Sequence, residues 1–244
     1  MSMTRVLRSG LFALLFVGGT LPLVILLVLA APFSSRLVQK GSWAWAAWFV
    51  WCARVFAGVR LVVRGVVPDS ACLVALKHQS AFETYLTLYL FEHPAVVMKA
   101  ELRRIPLWGF VAERHGSIFV DRDRGTASMK RLIREGRARA ADGRPILIFP
   151  EGTRVPVGEA PPLKSGLSAL YSMMNLPVVP VALDSGRVWH KGFLKSPGVV
   201  TLAFGPDIPA RLDKVAMEAA VHAAINLDPR TAPVRDSQGR AVAA

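Results

Sequence analysis

The sequence predicts an α/β domain, a mixed and mostly parallel sheet flanked by helices, behind a two-helix membrane anchor at the N-terminus. Three observations lead there. From residue 59 onward, short apolar runs alternate with helical patterns, as in βαβ units. No charged residue stands between Gly10 and Ser35. Hydrophobic residues make up 52% of the 244 and charged residues 19%, which supports a buried core and excludes a mainly disordered chain.

The anchor comes first. Leu11 to Ala31 is long and apolar enough to span a bilayer as a helix. Arg5 and Arg8 precede it and Arg36 and Lys40 follow, so the basic flanks do not set an orientation. A second apolar stretch, Ser42 to Ala53, carries four of the six Trp residues, a residue type that favours the membrane–water boundary. The two stretches read as a pair of membrane helices around a turn near Pro32–Gly41. Pro22 and Gly18-Gly19 offer a break in the first, and a broken pair dips into one leaflet instead of spanning. A cleaved signal peptide is the competing reading, but the apolar run is long for one. Residues 1–58 are thus the expected anchor and 59–244 the expected domain.

Within the domain, Val59–Arg64 alternates like a strand. Ala71–Leu76 and Pro145–Phe149 are continuous apolar runs, as strands covered on both faces would be. Pro94–Met98, Ser117–Val120 and Val199–Phe204 are further strands. Pro177–Leu183 is another, with Pro180 pointing to an edge or a bulge. Helical patterns cover Ala81–Phe91, Thr126–Ala141, Leu167–Met174 and Lys214–Ile225. The tail from Asp228 is polar, contains proline and is expected to be loosely ordered.

Lys and Arg number 30 against 17 Asp and Glu, a net charge of +13. An apolar, basic chain suits an anionic membrane surface or a phosphorylated substrate, with nucleic acid as the rival. Two Cys exclude a disulfide framework and a Cys-rich zinc site. His93, His115, His190 and His222 lack metal-like spacing and read as structural or surface groups.

Three segments can carry chemistry. The first is Lys77-His-Gln-Ser-Ala-Phe-Glu-Thr84, just after a buried strand. His78 suits general-base work near neutral pH. Glu83 lies five residues on, so a continuous helix would put the two on different faces. With a turn between them, Glu83 can orient the imidazole. Ser80-Ala-Phe-Glu83 also fits a helix capping box, which needs no catalytic role and would itself supply the turn. The second segment is Phe149-Pro-Glu-Gly-Thr-Arg154. Gly152 lets backbone approach a ligand, Thr153 offers a hydroxyl, and the Arg154 guanidinium matches phosphate oxygens. Glu151 can hold Arg154 or bond a substrate hydroxyl; an ordinary polar turn is the plainer alternative. In the third, Asp121-Arg122 closes a strand and puts a cation near the sheet edge.

Together these segments resemble the glycerolipid acyltransferase family. Its His-x4-Asp block matches His78 to Glu83, and its phosphate-binding block matches Gly116 to Arg122. Its Phe-Pro-Glu-Gly-Thr block matches Phe149 to Arg154, and its Pro-rich last block matches Leu176 to Pro180. The likeness covers roughly residues 70–185, about half of the chain. Glu83 stands where the commoner pattern has Asp, and Lys77 where it often has Asn.

The resemblance implies that family's fold. It also implies acyl transfer from acyl-coenzyme A or acyl carrier protein to the free hydroxyl of lysophosphatidic acid, giving phosphatidic acid. His78 is then the base and Glu83 its orienter. Arg122, Glu151, Gly152, Thr153 and Arg154 are the acceptor site. No metal or cofactor and no nucleic-acid partner is implied, and the location implied is the cytoplasmic face of a bacterial inner membrane. Another lysolipid acceptor, such as a lyso-ornithine lipid, fits the same blocks. A lipase lacks its Gly-x-Ser-x-Gly elbow here. A non-enzymatic adaptor binding acidic lipid would need neither His78 nor Glu83.

Overall fold

The computed structural model describes residues 3–121 and 125–242. Seven strands form the main sheet: β1 (Val59–Arg64), β2 (Leu73–Leu76), β3 (Ala95–Lys99), β4 (Ile118–Val120), β5 (Ile146–Ile148), β6 (Val178–Leu183) and β7 (Gly198–Phe204). Their order is β1-β7-β6-β2-β5-β3-β4. The β6–β7 pair is antiparallel and every other pair is parallel. The C-terminal ends of β6, β2, β5, β3 and β4 therefore share one edge, where ligands bind in open α/β sheets.

Both faces of the sheet are covered, which is why β2, β5 and β6 are apolar at every position. On one face Val74, Leu76 and Leu147 pack under α3 (Phe82–Leu90) and the N-terminal helices. On the other, Leu73, Ala75 and Ile146 pack under α5 (Gly125–Ala141), α6 (Ser165–Met174) and α7 (Lys214–Ile225).

The N-terminal segment forms a helical hairpin, of which one helix meets the length and hydropathy for crossing a membrane. α1 (Met3–Ala30) runs without a break through Pro22, and it is the described helix long and apolar enough to cross a membrane. α2 (Ser35–Cys52) begins seven residues before the expected start at Ser42, where Ser34 accepts a hydrogen bond from the Leu37 N–H. Its first turns carry Arg36, Gln39 and Lys40, which dilute its apolar character. Both ends of the hairpin touch the body. Near the N-terminus Arg5 donates to the Lys195 carbonyl at 3.1 Å, and Ser9 accepts from the Lys195 N–H at 3.0 Å. At the turn Arg114 donates twice to the Ala31 carbonyl, at 3.0 and 2.6 Å. Between them Phe12 and Phe16 meet Phe49, Tyr85 and Trp189 edge to face. The hairpin lies along the domain and does not project from it.

The structure decides between the two readings of Pro180, as a bulge, and changes two further expectations. Pro180 is inside the sheet and not on an edge strand; β7 ends opposite Val181, and Gly205 donates to the Pro180 carbonyl. The partner chain then reaches Ile208 opposite Val178, three residues against two, so the missing N–H falls in a bulge. The tail is tied down: Arg235 pairs with Asp207 and donates to the Val66 carbonyl, and β8 (Val234–Arg235) pairs with β9 (Ala241–Val242). A helix the periodicity did not single out, α4 (Trp108–His115), follows β3. It packs so tightly that a side chain at Gly109 would meet the Arg103 carbonyl oxygen at 2.0 Å.

At the opposite edge of the sheet, the buried Arg144 donates to the carbonyls of His93, Pro94 and His115. Burial first, then the charges of Arg144, His93 and Arg139, push the His115 imidazole down to about 3. An unfolded His titrates near 6.5, so between these values the unfolded chain takes up the proton and the fold does not. Stability therefore falls as pH drops from about 6.5 toward 3. Urea unfolding of His115→Gln should lose less stability between pH 7 and pH 4.5 than wild type, by about 2 kcal/mol. Equal losses in the two proteins would refute this account.

Candidate active site

The site sits on the shared C-terminal edge. β2 delivers Lys77 and His78, β5 delivers Phe149 to Arg154, and β6 delivers Asp184 and Ser185. The turn between His78 and α3 brings His78 Nδ1 within 2.9 Å of Glu83 Oε1. Glu83 is completely buried. Its Oε1 also accepts the backbone N–H groups of Gln79 at 2.5 Å and Ser80 at 2.6 Å. Its Oε2 accepts the hydroxyls of Ser80 at 2.8 Å and Ser185 at 2.7 Å. Ser80 in turn accepts the Phe82 N–H at 3.0 Å. The back-reaching half of the capping box, Glu83 to the Ser80 N–H, shares its carboxylate with the base-plus-orienter pair; the other half is not made, since Ser80 Oγ takes the Phe82 N–H and Ala81 stands at the N-cap.

Burial alone would raise the Glu83 carboxyl. The hydrogen bond and charge of His78, with the donors from Ser80 and Ser185, outweigh it and hold the group below the usual carboxylate range. An ionised Glu83 accepts, so Nδ1 carries the hydrogen and Nε2 is the basic nitrogen. The imidazole stacks on Phe149, ring centres 4.1 Å apart, with 13% of its side chain exposed.

His78 lines a cavity of about 1560 Å³. The wall is mostly apolar, and α1 supplies part of it through Phe16, Leu21, Val24 and Leu27. Gly152, Thr153 and Arg154 line the same cavity. Gly152 has φ 70°, a value that glycine adopts without strain. Arg154 is exposed there. With burial as the larger cause, its charge helps push Lys195 below the usual lysine value.

Glu151 is placed otherwise than expected. Its side chain is fully buried, one oxygen pairs with Lys77 Nζ, and the other accepts the His78 N–H at 3.0 Å. It faces the back of the His78 loop, so neither the Arg154 pairing nor a substrate contact is its arrangement here. Arg122 lies outside the described residues; Asp121, its neighbour in sequence, lines the cavity.

The acyltransferase family profile matches residues 60–184. The chain belongs to the acyltransferase family. It is 37% identical over 221 residues to a Pseudomonas aeruginosa protein named 1-acyl-sn-glycerol-3-phosphate acyltransferase, covering 86% of this chain and 84% of that one. A more distant relative, a lyso-ornithine lipid O-acyltransferase of Rhodobacter capsulatus, is 29% identical over 63% of this chain and 58% of its own. The crystal structure of the 1-acyl-sn-glycerophosphate acyltransferase of Thermotoga maritima superposes with a TM-score of 0.66 at 20% identity. It covers 91% of this chain and 93% of that one, which establishes the likeness of fold.

Sequence reasoning found the acyltransferase's His78–Glu83 pair but not Ser185. The signal was available, since Ser185 follows a buried strand by two residues and so reaches the same edge. It did not foresee that α1 walls the cavity. Ser185→Ala removes one donor from Glu83 and raises its pKa. The acid limb of the kcat–pH profile should then shift to higher pH, with kcat at its plateau falling about tenfold or less. Glu83→Gln should lower kcat by about 100-fold or more at all pH values. An acid limb unmoved in Ser185→Ala would count against this role for the hydroxyl.

Proposed function

We propose that the protein transfers an acyl group from a coenzyme A or acyl carrier protein thioester to the free hydroxyl of 1-acyl-sn-glycerol-3-phosphate, forming phosphatidic acid. The observation that carries this reading is the His78–Glu83 pair on the wall of a large apolar cavity that Arg154 also lines. The acceptor hydroxyl attacks the thioester carbonyl while His78 Nε2 takes its proton. The carbon–sulfur bond breaks, and the leaving thiolate recovers that proton from the imidazolium. Glu83 stays ionised and stabilises the imidazolium between these steps. No acyl-enzyme is needed and no cofactor enters.

Arg154, the Gly152–Thr153 backbone and Arg122 hold the acceptor phosphate in this reading. Glu151 serves the site from behind. The cavity takes acyl chain; each methylene moved out of water is worth about 0.8 kcal/mol.

Residues 1–58 attach the domain to the membrane. Leu14, Leu26 and Leu29 on α1 are each more than 60% exposed. Since both ends of the hairpin rest on the domain, α1 lies in the nearer leaflet with the site at head-group level. The leaflet is the cytoplasmic one of a bacterial inner membrane, where the thioester donor is.

Acyl-coenzyme A with lysophosphatidic acid, in detergent or vesicles, should release thiol and form phosphatidic acid with wild type and not with His78→Ala. Product from a lyso-ornithine lipid in place of lysophosphatidic acid would overturn the acceptor and keep the mechanism. Activity in His78→Ala would overturn the mechanism. In vesicle co-sedimentation, Leu14→Asp/Leu29→Asp should bind at least about tenfold more weakly than wild type, since each buried charge costs a few kcal/mol. Unchanged binding would remove α1 from the membrane contact.

A further inference from the structure

Lys77 is buried, and the ammonium's three N–H groups meet three acceptors from separate parts of the chain. These are Glu151 Oε1, the Glu159 carbonyl at 2.8 Å, and Asn226 Oδ1 at 2.6 Å. Both backbone groups of His78 are held by the loop this ammonium organises. Its N–H goes to Glu151 Oε2 at 3.0 Å, and its carbonyl accepts the Val155 N–H at 2.7 Å. Asn226 closes α7, donates to the His222 carbonyl at 2.7 Å, and stands 42 residues beyond the last family-matched position, 184. His222 Nε2 also reaches the Ala160 carbonyl, at 3.1 Å.

We infer that Lys77 and Asn226 are positioning residues, which set the His78 backbone through Glu151 and so couple the C-terminal helix to the catalytic loop. The physical reason is a chain of dependence. A buried carboxylate is held in place only while its charge is matched. Glu151 has that match in Lys77, and Lys77 keeps its orientation only while its remaining two donors are satisfied, one of them by Asn226. A shift of about 1 Å in a reacting group costs about 100-fold in rate. The effect should therefore reach the chemical step more than the affinity for either substrate. Lys77 also stands where the family often has a neutral Asn, so this coupling belongs to chains with a cation at that position.

The inference rests on His78 being the base, and the experiment separates the two. Steady-state thiol release, with both substrates varied, is measured for wild type, His78→Ala, Lys77→Met, Lys77→Met/Glu151→Gln, Asn226→Leu and Asn226→Asp. Thermal unfolding of each is followed in the same detergent. Lys77→Met should lower kcat about 100-fold with little change in either KM. The double variant should regain at least about tenfold of that, because Gln carries no unmatched charge and still accepts the His78 N–H. A purely structural role would lower the melting temperature without this recovery in kcat.

Asn226→Leu should lower kcat about tenfold, and Asn226→Asp, which keeps the oxygen that Lys77 needs, should recover most of it. If Lys77→Met does not fold, the Asn226 pair decides. A folded Lys77→Met or Asn226→Leu with wild-type kcat overturns the inference, and so does a double variant no better than Lys77→Met. An active His78→Ala overturns the catalytic reading beneath it instead.

Discussion

The structure turns on one buried carboxylate. Glu83 has no contact with water, and an ionised group in that position is tolerated only with its lone pairs filled. The donors come from the imidazole, two backbone N–H groups of the turn, and the hydroxyls of Ser80 and Ser185. Ser185 can reach Glu83 only because β6 lies beside β2, parallel and in register, with Leu73 opposite Val178. A slip of one residue would turn the β6 apolar set over and pull this donor away. The sheet's register and the state of the His78–Glu83 pair are thus set by the same constraint.

That constraint also accounts for the hairpin. Parallel strands buried on both faces need cover on both. α5, α6 and α7 cover one face; on the other α3 is only nine residues long, and Phe49 of α2 with Phe12 and Phe16 of α1 complete the layer. The helix that completes the core also walls the cavity and presents apolar residues outward. One side of α1 is domain interior and the other is suited to lipid. On the proposed function, α1 joins leaflet to cavity, and the sheet edge that carries His78 lies at the end of that route.

Most of this was legible in the sequence where the physics is local. Continuous apolar runs gave the buried strands, because a strand covered on both faces has no polar side. The Ser80-to-Glu83 spacing gave the helix start, because a cap depends on residues three apart. What was not legible depends on residues distant in the chain. Glu151 reads locally as a free acid in a polar turn, and only the approach of Lys77, 74 residues earlier, turns it inward. Asn226 carries no local signal at all. The four-tryptophan stretch divides: Trp43 and Trp51 are exposed, whereas Trp45 packs on Tyr85 and Phe16 and its indole N–H donates to Thr20. A tryptophan count cannot tell lipid from the apolar face of a neighbouring domain.

The glutamate in place of the commoner aspartate follows from the same geometry. Glu83 belongs to the first turn of α3, where the helix dipole and unpaired N–H groups favour an anion. From there its carboxylate must reach back past the turn to Gln79 and Ser80, sideways to the imidazole, and across to Ser185. Oε1 serves the turn and the imidazole together, so the bonds that cap the helix also fix the ring. The extra methylene relative to aspartate gives the reach for both tasks without unwinding the helix start. Two readings that compete at the level of sequence, a bond back to the helix start and an orienter of the imidazole, are met by a single carboxylate. The fold cannot lose one role without weakening the other.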